Sequence, residues 1–376
     1  MLFAKLSKIG IRGKLLAWIK CFLTNRTQEV VIGESHSAPF LVKSGVPQGT
    51  VLGPLLFIIF ISDIDEQVEN AKVVCFADDT KLLMKIKSRH DVRRMQDDLN
   101  RAYDWATQNN MNFNENKFQS INYGHNNQHG RYLTPTGMEV QKSSTVRDLG
   151  LIMSDSCKFH KHIEEMVKKG KQMAGWILRT FITREAYPMI RLYKSLVLPH
   201  VEYCSLLWSP YTLEQIRKIE AIQRTFTSKI AGMQCKNYWE RLAKLGLFSM
   251  ERRRERYQII YIWKIIQGLV HNIEGPNKIE WYEHTRRGRL CRVPGLNNRA
   301  RVAVQSVKDG SLVVRGPRLF NCLPKEIRNM CVEIDTFKAH LDKYILSIPD
   351  RPILPNYYQI ARSNSIIDQV ADIRNV

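Results

Sequence analysis

None of the eight cysteines, at positions 21, 75, 157, 204, 235, 291, 322 and 331, stands in a Cys-x-x-Cys pair, and their spacing is irregular. That indicates neither a zinc framework of ordinary spacing nor a disulfide scaffold, so buried thiols in a reducing compartment are expected. Long apolar runs are missing too. The longest, Val51 to Ile61, is too short to span a bilayer and is broken by Gly53-Pro54. No secretory leader is evident, and a soluble protein of the cytoplasm or nucleus is expected. There is no internal repeat and no low-complexity segment. Acid is scarce: 36 Asp and Glu face 57 Lys and Arg, a net charge of +21. The scarcity is sharpest at the start, where no aspartate precedes Asp63 and Glu29 and Glu34 are the only acids before it.

What is present begins with that charge. A surplus of this size predicts salt-sensitive attraction to a polyanion, either nucleic acid or an anionic membrane surface. The 376 residues, 44% of them hydrophobic, leave room for two or three domains with cores of their own. Two adjacent aspartates, Asp78 and Asp79, lie between the apolar runs Val73-Val74-Cys75-Phe76 and Leu82-Leu83-Met84. That pattern suits a β-hairpin with both carboxylates at its tip. Such a pair either binds divalent metal or merely makes a turn. About thirty residues upstream stands Ser44-Gly45-Val46-Pro47-Gln48-Gly49. There Pro fixes a bend, Gly permits close backbone approach to a ligand, and Gln can donate or accept at a base or sugar edge. A plain loop before a buried helix would use the same residue types.

The run from Ser44 through Thr50-Val51-Leu52-Gly53-Pro54-Leu55-Leu56-Phe57 resembles motif B of reverse transcriptases, and Phe76-Ala77-Asp78-Asp79 resembles their motif C. The wording is closer to the jockey-like non-LTR retrotransposons than to retroviral enzymes. Asn112-Phe113-Asn114-Glu115-Asn116-Lys117 resembles motif D, and Asp148-Leu149-Gly150 the motif E region. Leu198-Pro199-His200-Val201-Glu202-Tyr203-Cys204-Ser205 and Arg315-Gly316-Pro317-Arg318-Leu319-Phe320-Asn321-Cys322-Leu323-Pro324 resemble segments that follow the polymerase core in the same elements. Six ordered matches make chance a poor explanation.

The resemblance implies an α+β chain: a partial polymerase palm over residues 1–159, a helical thumb or connection over 160–275, and a basic connector with a C-terminal helical segment over 276–376. It implies an RNA-directed DNA polymerase adding dNTPs to a DNA primer on an RNA template, with two Mg2+ ions in an intact site. Asp78 and Asp79 would be the catalytic metal ligands, Pro47, Gln48 and Gly49 would contact nucleotide and template, and Lys117 would lie near the triphosphate. Phe118 stands where the family usually has Thr or Ser. The family's third aspartate belongs to motif A, upstream of motif B. Gly10-Ile11-Arg12-Gly13 through Asn25-Arg26 matches the connection between the two motifs, so the chain reads as beginning after motif A. The rival expectation is therefore an inactive nucleic-acid-binding remnant.

The remaining pattern is mostly helical. Asp91 reads as the cap of a helix to about Asn109, with Val92, Met95, Leu99, Ala102, Tyr103 and Trp105 inside and Arg93, Arg94, Asp97, Asp98 and Arg101 outside. Leu213, Ile216, Ile219, Ile222, Phe226 and Ile230 form a second stripe. From Ser249 a third helix crowds Arg252, Arg253, Arg254 and Arg256 into its first turns, against the helix dipole. Phosphate contact and a solvated face partly offset by Glu251 and Glu255 are equally open explanations. His284 to Lys308 carries Arg286, Arg287, Arg289, Arg292, Arg299, Arg301 and Lys308 without an acid, and reads as a flexible track for a nucleic-acid backbone. Phosphate contacts to an RNA/DNA duplex are expected there, since no aromatics interleave. The tail after Asp350 reads as loosely held.

Overall fold

The computed structural model describes residues 1–124, 130–210, 212–295, 308–353 and 363–374. The protein is α+β: many helices accompany small two-stranded sheets, antiparallel except for the short pair Gln119–Ser120 with Gln141–Lys142. Two units divide between Ser144 and Thr145.

The first unit opens with helices α1 (Leu2–Lys8) and α2 (Gly13–Leu23) and the short strands β1 (Arg26–Gln28), β2 (Val31–Ile32), β3 (Ser35–His36) and β4 (Phe40–Val42). The β2–β3 hairpin turns at Gly33-Glu34, as the residue types predict. Helix α3 (Leu52–Ile61) is apolar on every side. It buries Leu56 against Leu6 of α1 and Ile19 of α2, while Leu55 and Ile58 remain exposed. Strands β5 (Lys72–Phe76) and β6 (Asp79–Leu83) form the expected hairpin, followed by α4 (Arg89–Gln108). Asp63, just past α3, bonds Lys5 Nζ at 2.6 Å and Trp105 Nε1 at 2.9 Å, which gives it a structural role.

Two expectations for α4 need correction. Its N-cap is Ser88, and Asp91, the third residue of the helix, completes a capping box by accepting from the Ser88 N–H. Asp98 is fully buried instead of solvated. The backbone N–H groups of Glu69, Asn70 and Ala71 converge on its carboxylate at 3.2, 2.9 and 2.7 Å, and Arg101 adds an ion pair at 2.9 Å. Burial works to raise its pKa, but those hydrogen bonds outweigh it and hold the group below the usual range. A local apolar pattern could not show this, because the donors lie 27 to 29 residues away.

The second unit begins with hairpin β9 (Thr145–Asp148) and β10 (Leu151–Ser154), here numbered after the short strands β7 (Gln119–Ser120) and β8 (Gln141–Lys142). Helix α5 (His160–Thr180) follows. Short helices α6 (Ala186–Leu192), α7 (Leu198–Glu202) and α8 (Ser205–Trp208) lead to α9 (Leu213–Thr227), α10 (Tyr238–Leu245) and α11 (Met250–Ile266). The α9 stripe is real: Ile219, Ile222 and Phe226 are buried with Ile163, Met166 and Val201, although Leu213 stays exposed. His162 is a core residue set edge-on against Trp208, with its pKa lowered by burial. Hairpin β11 (Trp281–His284) and β12 (Gly288–Cys291) precedes α12 (Leu312–Cys322), α13 (Lys325–Arg328), α14 (Ile334–Leu346) and α15 (Ile366–Arg374). Helix α12 packs on α11 where Gly316 meets Ile262; a Cβ on that glycine would fall 2.8 Å from Ile262 Cδ1. Asn321 of α12 exchanges two 2.8 Å hydrogen bonds with the Cys291 backbone.

Neither explanation offered for the arginines of α11 survives. Arg252 and Arg254 are buried, and so are Glu251 and Glu255. Arg252 donates to the carbonyls of Pro349 and Asn364, at 2.9 and 3.1 Å. Arg253 forks onto Glu202, and Arg256 onto Asp342. Arg315 of α12 reaches Glu255 at 2.7 Å and Glu251 at 3.8 Å. The helix dipole is thus opposed by arginines because partner carboxylates and carbonyls come from other elements. The same contacts hold the described part of the tail, residues 363–374, while 354–362 and 375–376 lie outside the described residues. Glu255 accepts from the Ile366 N–H at 2.9 Å and from Ser365 Oγ, Asn364 Nδ2 bonds Asp350 at 2.8 Å, and Ile366 and Val370 are buried in the core beneath.

Glu220 of α9 is another buried carboxylate of this unit. It is buried beneath α10 and α11, accepting from Tyr238 Oη and from the Met250 N–H at 3.0 Å. Burial pushes its pKa up to about 7, with nearby Asp350 adding to the rise and Tyr238 opposing it. The folded state therefore holds this proton where the unfolded chain, near 4.5, has released it. Its stabilising contribution is complete below about pH 4.5 and is lost as pH rises through about 7, a swing of roughly 3 kcal/mol. Denaturant titrations at half-unit pH steps should show that slope, and Glu220→Gln should flatten it by close to one proton.

Candidate functional site

The β5–β6 register pairs Phe76 with Asp79, leaving Ala77 and Asp78 as a two-residue turn. Ala77 has φ +51, a left-handed conformation that such a tight hairpin demands of a central residue. Asp78 and Asp79 sit adjacent at the tip and both are exposed. Hydrogen-bonded strands of five residues on each side fix where the tip lies.

The Pro47-Gln48-Gly49 segment is a loop leading into α3. Gly45 and Gly49 take φ +81 and +77, so the bend around Pro47 needs glycine at both flanks. Gln48 and Gly49 are exposed. Lys117 closes a single 3-10 turn, Glu115–Lys117, and is exposed as well. Glu115 bonds the Thr134 and Thr136 hydroxyls, which holds the turn down. Phe118, the departure from the family pattern, packs with Tyr103 and Phe113 in an aromatic trio with ring centroids 5.3 to 5.8 Å apart.

One apolar cluster joins the elements that bear these groups. Ile61 at the end of α3 and Ile64 just past it, Trp105 and Ala106 of α4, Val73 of β5, and Met111 and Phe113 ahead of the turn pack together with Phe57 and Phe60. The loop, the hairpin and the lysine turn thus share a single buried support. Among the described residues, no three Asp, Glu, His or Cys side chains converge as a metal-binding group. The two hard carboxylates at the tip still suit Mg2+, which keeps several waters and takes one or two carboxylates together with substrate phosphates.

The basic stretch behaves differently from its expectation. Its first part, to Cys291, belongs to the β11–β12 hairpin, and residues 296–307 of the stretch lie outside the described residues. Arg286 and Arg287 sit exposed in the turn. Arg289 faces Glu283 across the strands, with 3.5 Å between charges, and its guanidinium also lies 3.7 Å from Cys331 Sγ. Arg292 pairs with Glu280 at 3.4 Å. These acids lie just ahead of the acid-free window, and only hairpin register brings them opposite. Arg299 and Arg301 lie outside the described residues. Two other matched segments turn out to be architectural: Tyr203 Oη bonds the Leu149 carbonyl at 2.9 Å, and Glu202 holds Arg253. Among the described residues no helix is long and apolar enough to cross a membrane.

Residues 1–153 match the family described as reverse transcriptase (RNA-dependent DNA polymerase). The chain is 23% identical over 224 residues to a probable RNA-directed DNA polymerase from transposon X-element of Drosophila melanogaster, covering 57% of this chain and 25% of that protein. It is 24% identical over 227 residues to the RNA-directed DNA polymerase from mobile element jockey of the same species, again over 57% and 25%. A Pol polyprotein from the type-1 retrotransposable element R1 of Nasonia vitripennis is 26% identical over 176 residues, 44% of this chain and 52% of that protein. The chain thus spans about a quarter of the length of the first two relatives. Its motifs, their order and their shared support agree with these matches, and residues 1–153 are a reverse transcriptase domain of the jockey-like, non-LTR retrotransposon kind.

Proposed function

We propose that this protein belongs to the machinery of RNA-directed DNA synthesis in a mobile element, adding deoxynucleotides to a DNA primer on an RNA template. The observation that carries the reading is the hairpin presenting Asp78 and Asp79 at an exposed tip, within the matched domain. In this reading Asp78 and Asp79 hold Mg2+, and Pro47, Gln48 and Gly49 contact the incoming nucleotide and template. Lys117 lies beside the triphosphate, where an ammonium can neutralise phosphate charge or supply a proton to the leaving pyrophosphate. When bound, the metal supplies activation of the primer 3′-hydroxyl and charge neutralisation of the triphosphate. A soluble cytoplasmic or nuclear protein fits this role.

Primer extension on an RNA template tests the reading. Incorporation should follow template sequence and cease when EDTA removes the metal. Template-independent incorporation, or incorporation indifferent to EDTA, would reject it. The second reading, a non-catalytic nucleic-acid-binding remnant, is favoured by the lack of a three-ligand metal group among the described residues. It expects salt-dependent duplex binding and no incorporation with either Mg2+ or Mn2+.

Both readings share one expectation about binding. Arg286 and Arg287 are the exposed basic pair of the β11–β12 turn, whereas Arg289 and Arg292 have acidic partners. Replacing both turn arginines with alanine should reduce the slope of log affinity against log salt by about 1 to 2 for an RNA/DNA duplex. The same change at Arg292 should lower it by less. Equal slopes in all three proteins would remove this hairpin from the binding surface.

A further inference from the structure

The Pro47–Gly49 loop is anchored from behind by side chains that the motif itself does not explain. Thr50 Oγ1 donates to the Pro47 carbonyl at 2.8 Å and accepts from the Gly53 N–H at 3.1 Å. One hydroxyl therefore ties the loop to the first turn of α3. That N–H is one of the donors a helix start leaves without an intrahelical partner, so the bond serves helix and loop together. Gly53 is buried, and a Cβ there would lie 2.6 Å from the Pro47 carbonyl oxygen and 3.0 Å from Thr50 Oγ1. Its φ is not left-handed, so the need for glycine is one of space alone. At the other end of the loop Arg26 donates through Nη2 to the Gly45 carbonyl at 2.6 Å and through Nε to the Leu23 carbonyl at 3.0 Å. The segment from Gly45 to Pro47 is held by its carbonyls, which leaves the exposed Gln48 and Gly49 facing outward.

Resting on the reading of this loop as the nucleotide contact, we propose that Thr50 and Gly53 are positioning residues that fix the height at which Gln48 and Gly49 meet the incoming nucleotide. They act through the Pro47 carbonyl and do not touch substrate. Hydroxyl chemistry matters here because one oxygen must both donate and accept. Serine can do so, while valine, with the same shape as threonine, can do neither. A methyl at position 53 would push Pro47 off the helix by occupying the place of its carbonyl.

The test compares Thr50→Val, Thr50→Ser and Gly53→Ala in the full chain. Amide hydrogen exchange over residues 47–53, without nucleotide, should rise about tenfold at Gly53 in Thr50→Val and stay unchanged in Thr50→Ser. In template-directed extension, Thr50→Val and Gly53→Ala should raise KM for dNTP about tenfold or more while kcat changes less than threefold, and Thr50→Ser should restore KM. A purely structural role would lower the amount of active protein, and hence apparent kcat, at constant KM. Thr50→Val matching Thr50→Ser in both measurements overturns the proposal even if Gly53→Ala fails to fold. If the unaltered chain incorporates nothing, the nucleotide reading and the substrate half of this proposal fail together. The exchange pattern then decides separately whether Thr50 and Gly53 hold the loop.

Discussion

Asp78→Asn is expected to lower template-directed extension by about a thousandfold while leaving RNA/DNA duplex affinity within twofold. Asparagine keeps the size of the side chain and tolerates a turn, so the β5–β6 register should persist. It cannot contribute the negative charge that a hard divalent ion requires. Because the residue is exposed at a hairpin tip, the change should leave the melting temperature nearly unmoved. Asp79→Asn should behave alike. Rates measured at saturating dNTP, beside filter-binding of the duplex, separate chemistry from binding. Extension within threefold of the parent in either variant would remove the aspartate pair from the chemistry, and with it the proposed reaction.

Glu255→Ala should produce the largest loss of stability, about 4 kcal/mol. The carboxylate is almost wholly buried and takes hydrogen bonds from Arg315, Ser365 and the Ile366 N–H. Removing it leaves Arg315 only the more distant Glu251, at 3.8 Å, and uncaps α15, so the buried Ser365 hydroxyl and the Ile366 N–H lose their acceptor. In a unit of this size such a loss corresponds to a fall of roughly 10 °C in melting temperature. Protease cleavage near residues 363–374 should accelerate in the variant, since this network holds the first residues of that segment. Glu214→Ala provides the contrast: Glu214 pairs with Lys218 at 2.6 Å on the solvent side of α9, and its loss should be undetectable. A melting temperature within 2 °C of the parent for Glu255→Ala would show that the buried network is not holding the terminal helix.

Local patterns were readable where neighbours along the chain decide the outcome. The alternation around Asp78 and Asp79 gave the hairpin, the spacing from Val92 to Trp105 gave α4, and the stripe from Ile219 to Phe226 gave α9. Helix α11 shows where this breaks down. Its arginines meet Glu202, Asp342 and the Asn364 carbonyl, which lie 51, 86 and 112 residues away, and no window centred on the arginines contains those partners. Asp98 escapes a local pattern for the same reason. For Arg289 and Arg292 the margin is narrower, because their partners Glu283 and Glu280 stand just ahead of the acid-free window. At the candidate site the motif residues were legible as letters. Their common support was not, since the cluster linking Phe57, Val73, Trp105 and Phe113 is assembled from four separate elements.

The clasp on Glu255 also places the second unit in time. Ser365 and Ile366 follow Glu255 by 110 and 111 residues. A ribosome adding about 5 to 20 residues per second would take roughly 5 to 20 s to bring them out. Through that interval α11 has emerged with Arg252 and Glu255 still lacking their partners, so its charged turns must remain hydrated. Closure of this unit therefore waits for Ser365 to emerge, and a nascent chain stalled before it would present the apolar bed of α15 to chaperones.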